Sequence, residues 1–249
     1  MKSAGVLVIG DEVLSGEVRD ENGPWLVSTL SGSGTRVSRV VIVGDRLEDV
    51  VDELVRMRGA VDAVLVSGGI GPTHDDVTRP AVARALGVPL ERHEGAEARI
   101  RSWYGERTTE AELTMAMLPR GSRLLRGART STLGFVVAGI YVLPGVPSLL
   151  RDLVDGSIAE FSGEALHREE VVTALREGEI ADDLSRIQSA ALDVAIGSYP
   201  MPHRDGSWTT RVVVRSPSAE RARVIASEVR AAFTRLDAAA REGGIAPAK

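Results

Sequence analysis

The run Ala4–Ile9 constrains this chain more than any other feature. It is continuously apolar, and a strand of that composition has no polar face to turn toward water, so it belongs in a sheet covered on both sides. Ala60–Val66 reads as a second buried strand. Both runs stop in polar, glycine-containing sequence: Gly10-Asp11-Glu12 after the first and Ser67-Gly68-Gly69 after the second. Between them the periodicity changes. Asn22–Leu30 spaces Trp25, Leu26 and Leu30 as a helix does and gives way to the helix-stopping Ser31–Gly34, Arg36–Val43 reads as a strand, and Arg46–Arg58 sets Leu47, Val50, Val51, Leu54 and Val55 on one helical stripe. The order β-α-β-α-β predicts a mostly parallel sheet, because parallel neighbours need a crossover and the crossover is a helix.

The pattern continues with a helix over Arg79–Leu86, where Pro80 falls in the first turn and Gly87 ends it. Glu91–Tyr104 and Glu110–Met117 also read as helices. The last strand segment lies in Gly134–Leu143, running as Phe135–Val137, a turn, and Ile140–Leu143, and it ends in Pro144-Gly145-Val146-Pro147 before a helix starting near Ser148. Beyond Gly163 the rhythm becomes strand (Glu169–Leu175), helix (Glu179–Ala190), strand (Asp193–Tyr199), strand (Thr209–Val214), helix (Pro217–Phe233). The chain is therefore expected to hold an α/β domain over 1–163, a small α+β (βαββα) domain over 164–236 and a flexible tail over 237–249.

With 249 residues and a 43% hydrophobic share there is enough material for a sizeable core. The net charge of −5 argues against nucleic acid as partner. There is no cysteine, which removes disulfides and thiolate chemistry, and the N-terminal apolar run is broken by Asp11 and Glu12 long before it could span a membrane. A cytoplasmic protein with no membrane contact is expected.

Ligands of a parallel sheet sit beyond the carboxyl ends of its strands. Four such ends carry suggestive residues. Ser67-Gly68-Gly69-Ile70-Gly71-Pro72-Thr73 is a glycine-rich loop between strand and helix, an arrangement in which backbone amides close around phosphate, although a plain strand-to-helix turn has the same composition. Asp75-Asp76-Val77-Thr78 follows, offering a helix cap at Asp76 or Thr78 and a carboxylate for a divalent metal; magnesium favours one or two carboxylates plus ligand phosphates. Gly10-Asp11-Glu12, Gly44-Asp45 and Pro144–Ser148 complete the set. His74 lies in the loop and His93 is unassigned.

Taken together, Gly10–Asn22, Val43–Asp45, Ser67–Val82 and Leu143–Pro147 resemble the MoaB/Mog, or molybdopterin-binding, domain, and more narrowly its branch in the CinA (competence/damage-inducible) proteins. Residues 164 onward look like the small domain that follows in CinA proteins, while their carboxyl-terminal amidohydrolase domain has no room here. The resemblance implies a three-layer Rossmann-like fold, a tendency to self-associate as a homo-oligomer, and a nucleotide or pterin ligand held with Mg2+, or with K+ as well, without a tightly bound organic cofactor. It implies Asp76 and Asp45 as catalytic residues, Asp11, Asp75 and Asp76 as metal ligands, and Ser67, Gly68, Gly69, Gly71, Thr73, Thr78, Pro144 and Gly145 as the phosphate or ligand contacts. The family pattern departs at Glu112–Ala116 and Thr130–Phe135, where polar ligand groups are replaced. Three readings follow: a metal-dependent nucleotide pyrophosphatase acting on a phosphoanhydride such as that of ADP-ribose, a molybdopterin adenylyltransferase or molybdopterin-binding protein, and a non-catalytic binder.

Overall fold

The computed structural model describes residues 3–129, 132–161, 163 and 166–242. Thr130 and Ser131 of the divergent loop, and 243–249 of the expected tail, lie outside the described residues. The chain divides into two compact units, Met1–Glu164 and Ala165–Lys249.

The first unit opens with β1 (Ser3–Ile9), the single turn α1 (Asp11–Leu14), α2 (Asn22–Gly32) and β2 (Arg36–Val43). It continues with α3 (Leu47–Arg58), β3 (Ala63–Ser67), α4 (Thr78–Leu86), β4 (Leu90–Arg92) and α5 (Glu94–Tyr104). A short α6 (Glu110–Leu113), the strands β5 (Met117–Pro119), β6 (Arg123–Leu124), β7 (Phe135–Val137) and β8 (Ile140–Leu143), and α7 (Pro147–Phe161) complete it. Six strands form one sheet in the order β2-β1-β3-β8-β7-β6. β1 runs parallel to both β2 and β3, and β3 runs parallel to β8, while β7 and β6 are added antiparallel. The expected α/β, mostly parallel sheet is thus present, with a two-strand antiparallel extension at one edge.

Alternation along β1 explains the three layers. Ala4, Val6 and Val8 pack with Leu26 and Leu30 of α2 and Leu150 and Leu153 of α7, whereas Leu7 and Ile9 pack with Val50 and Leu54 of α3, Val82 of α4 and Ile100 of α5. A strand buried on both faces is what the apolar run required. β2 is the exception: it is an edge strand, and a one-residue bulge opposite Ala4–Gly5 shifts its register.

Three local expectations are corrected. Asp11 and Glu12 begin a helical turn, not a loop. The helix expected from Glu91 starts at Glu94, where the His93 side chain accepts from Ala96 N, and Leu90–Arg92 pairs antiparallel with Met117–Pro119 as a separate two-stranded sheet. The helix expected over Glu110–Met117 is one turn, held by a capping box between Thr109 and Glu112, and passes through a tighter turn at Thr114–Ala116 into β5.

The second unit consists of β9 (His167–Thr173), α8 (Glu177–Ala190), β10 (Ala195–Pro202), β11 (Trp208–Ser216) and α9 (Ala219–Glu242), the expected βαββα order. Its antiparallel sheet has the order β10-β11-β9, and Val171, Val212 and Val214 pack against Ile180 and Ile187 of α8 and Ile225, Val229 and Phe233 of α9. The last helix runs to Glu242, so residues 237–242 are helical where a tail was expected. No helix among the described residues is long and apolar enough to cross a membrane.

Candidate functional site

The loop after β3 is shaped by two successive glycines. Gly68 and Gly69 have φ of +103° and +66°, a region that L side chains rarely enter, and a Cβ on either would lie 2.3 Å from an oxygen, Ile9 O or Thr78 Oγ1 respectively. Thr78 locks the loop from below: it is fully buried, its hydroxyl donates to Gly68 O at 2.8 Å and its amide to Gly69 O at 3.0 Å. Its side chain therefore supports the loop and does not face the ligand rim, which corrects the expected contact.

Asp76 is also turned inward. Its Oδ1 accepts from Gly71 N at 2.7 Å, and its Oδ2 accepts from Thr73 N at 2.8 Å and from Thr73 Oγ1 at 2.6 Å. Three donors converge on one carboxylate, so Asp76, expected as a metal ligand and catalytic group, organises Gly71–Thr73. Arg79, only 6% exposed, pins the same residue through its carbonyl by donating to Gly71 O at 2.7 Å and also to Thr114 O. Burial lowers the Arg79 pKa, and the nearby charge of Asp76 opposes that shift. Nothing in the residue pattern around Arg79 marks this cation as buried. The amides of Gly69 and Ile70 have no internal acceptor among the described residues.

Beside this loop lies an acidic rim. Asp11 N donates to Asp45 Oδ2 at 2.8 Å and Asp45 N to Asp11 Oδ1 at 3.4 Å, which ties the ends of β1 and β2 together. Gly44 permits the approach, since a Cβ there would sit 2.2 Å from Asp11 Oδ1. Burial raises the Asp45 pKa above the ordinary carboxylate value, the hydrogen bond from Asp11 opposes this, and repulsion from Asp11, Glu12 and Asp75 adds to it. Asp75 is itself exposed, with its pKa lowered chiefly by the neighbouring Thr73 side chain. So Asp11, Glu12, Asp45 and Asp75 share one electrostatic neighbourhood, and none of the four is ion-paired to Arg or Lys among the described residues. No group of three or more His, Asp or Glu side chains is close enough to hold a metal ion among those residues. The donor set fits a cation held by one or two carboxylates with ligand phosphate and water, not one caged by protein.

Asn22 joins the remaining parts. Its Nδ2 donates to Ser67 Oγ at 3.0 Å and to Gly145 O at 2.6 Å, linking α2, the end of β3 and the loop after β8. Gly145 lies against the Gly68–Thr73 loop, where an added Cβ would be 3.5 Å from Gly68 Cα, and Pro144 is buried. A cleft of about 80 Å³ is bordered by Glu12, Arg19, Asn22, Ser67, Gly145 and Pro147. His74 is almost fully exposed, 4.0 Å from Asp75, and His93 is a helix cap. A larger groove of about 500 Å³ in the second unit, between α8 and β10, brings together none of the expected site residues.

Residues 5–162 match the family model described as a probable molybdopterin binding domain. The chain belongs to the MoaB/Mog molybdopterin-binding domain family, in its CinA-like branch. Residues 165–247 match the model of the middle domain of FAD synthase. A protein of Aeropyrum pernix is 33% identical over 235 residues, 88% of each chain. The CinA-like protein of Anaeromyxobacter dehalogenans is 39% identical over 157 residues, 60% of this chain and 38% of its own. That of Shewanella sediminis is 31% identical over 197 residues, 74% of this chain and 46% of its own, so the chain spans less than half the length of these CinA-like relatives. The crystal structure of CinA from Thermoplasma acidophilum superposes with a TM-score of 0.60 at 30% identity, covering 64% of this chain and 98% of that one.

Proposed function

We propose that the rim formed by the ends of β1, β2, β3 and β8 binds the phosphates of a nucleotide together with Mg2+ and hydrolyses a phosphoanhydride such as that of ADP-ribose. The observation that carries this reading is the pairing of opposites at the strand ends: free amides at Gly69 and Ile70 after β3, and four carboxylates after β1, β2 and β3 with no Arg or Lys partner among the described residues. Amides on a positive-φ glycine loop suit phosphate oxygens, and an uncompensated acidic rim suits a divalent cation bridging to the same phosphates.

Asp11 and Asp45 would hold the cation, whose contribution is to neutralise charge on the phosphates. The protein supplies position. Glycine amides orient the anhydride, and Asp76 and Arg79 keep Gly71–Thr73 rigid. A second reading, binding without turnover, has one observation in its favour: Glu112 caps α6, while Leu113, Met115 and Ala116 are buried in the core, so the divergent segment is committed to packing.

Purified protein incubated with Mg2+, K+ and ADP-ribose, FAD, or ATP plus molybdopterin separates the readings. AMP release from ADP-ribose that disappears in Asp45→Asn supports hydrolysis. Thermal stabilisation by ADP-ribose without turnover supports the binder, and adenylylated pterin overturns both in favour of adenylyl transfer.

A further inference from the structure

The Asn22 side chain is only 6% exposed, and while its Nδ2 makes two hydrogen bonds its Oδ1 makes none. A buried carbonyl oxygen without a donor is uncommon in a folded protein. Reversing the amide gives no relief, because Oδ1 would then face Gly145 O. Its neighbour Ser67 is in the complementary condition: Ser67 Oγ accepts from Asn22, and its own proton has no acceptor among the described residues. Asn22, with its unmatched acceptor, and Ser67, with its unmatched donor, thus both border the same cleft of about 80 Å³, and Glu12 is a further residue of its wall.

We propose that Asn22 and Ser67 recognise the sugar hydroxyls of the nucleotide, Asn22 Oδ1 accepting from one hydroxyl and Ser67 Oγ–H donating to another. This rests on the reading of the rim as a nucleotide site. Ser67 immediately precedes the Gly68–Ile70 turn, so a phosphate on the Gly69 and Ile70 amides places whatever it esterifies at the mouth of this cleft. The volume holds a few waters, the scale of a sugar ring and less than a bicyclic base needs. No aromatic side chain among the described residues borders the cleft to stack on a base. Hydroxyls both donate and accept, which is the mixture the two orphan groups require.

Calorimetric titrations of the full chain with ADP-ribose and with inorganic pyrophosphate, both in Mg2+, test the pair. In the unaltered protein ADP-ribose is expected to bind about tenfold more tightly than pyrophosphate. Ser67→Ala and Asn22→Ser are each expected to remove most of that advantage while leaving pyrophosphate affinity within about twofold. Loss of affinity for both ligands by the same factor would make the pair a loop support and overturn the assignment, as would variants indistinguishable from the parent. Pyrophosphate binding with no advantage for ADP-ribose in the unaltered protein overturns the sugar assignment without any variant. Binding of neither ligand overturns the nucleotide reading itself.

Discussion

Asp11 and Asp45 hold each other by their main chains: the amide of Asp11 donates to Asp45 Oδ2 at 2.8 Å, and the amide of Asp45 reaches Asp11 Oδ1 at 3.4 Å. Two acids from neighbouring strand ends are thereby fixed side by side although their charges repel. The geometry is set by backbone donors, and no Arg or Lys among the described residues pairs with either charge.

The first prediction concerns that repulsion. Burial, with repulsion from Asp11, Glu12 and Asp75, raises the Asp45 pKa, so the folded chain holds that proton more tightly than the unfolded chain does. The sign follows: the contribution is fully present below the unfolded value of about 3.9, is lost as pH rises through the higher folded value, and opposes folding above it. Asp45→Asn keeps an acceptor for Asp11 N and removes the charge. Because Asp45 is half-exposed, the expected gain is small, a rise in Tm on the order of 1–2 °C at pH 7 that shrinks toward pH 3. Thermal melts at the two pH values check it; a gain of equal size at both would mean that charge is not the cause.

Asp76 is predicted to act on the loop before it acts on any ligand. Asp76→Ala leaves Gly71 N and Thr73 N without their acceptor, which costs about 1–3 kcal/mol. Amide hydrogen exchange at Gly71 and Thr73 should accelerate in the absence of metal and nucleotide. Asp76→Asn retains one acceptor oxygen and should fall between parent and alanine variant. Unchanged exchange in Asp76→Ala would show that the loop holds its shape without the carboxylate.

Gly69→Ala tests the strand-to-helix turn. The substitution forces a side chain into φ of +66° and drives its Cβ to 2.3 Å from Thr78 Oγ1. Strain of this kind costs about 1–3 kcal/mol before the contact is relieved. Thr78→Ser in the same chain keeps the hydroxyl, and with it the clash, whereas Thr78→Ala removes the obstructing oxygen and should recover part of the loss. Chemical denaturation of the single and double variants measures that coupling, and strict additivity would sink the steric account.

How much of this was legible follows from where the information resides. The sheet was readable because β1 and β3 are apolar on both faces, a pattern that only a covered parallel sheet uses. The strands β4, β5 and β6 were not, being two or three residues long, with their pairing decided by partners 11 to 29 residues away. The glycines at 68 and 69 could be read as a turn from residue type alone. The direction of Asp76 could not, since Asp75 and Asp76 have the same chemistry and only the fold shows that one points out and the other closes the loop. Asn22 was hidden for a similar reason: it opens α2, yet its partners Ser67 and Gly145 are 45 and 123 residues away.

The last prediction lies in the second unit, where β10 is an edge strand. An exposed edge invites pairing with another chain unless its donors are removed. Ile196 N points away from β11 and donates to Gln188 Oε1 at 2.8 Å, and alternation directs residues 198, 200 and 202 the same way. Pro200 and Pro202 have no amide proton, so Ser198 is the one outward donor left free on this strand among the described residues. Converting both prolines to threonine restores two donors in a β-favouring residue. The double variant should sediment with a larger average mass than the parent as concentration rises, with its helical content unchanged by circular dichroism. Identical sedimentation of the two proteins at every concentration would mean that the prolines do not guard this edge.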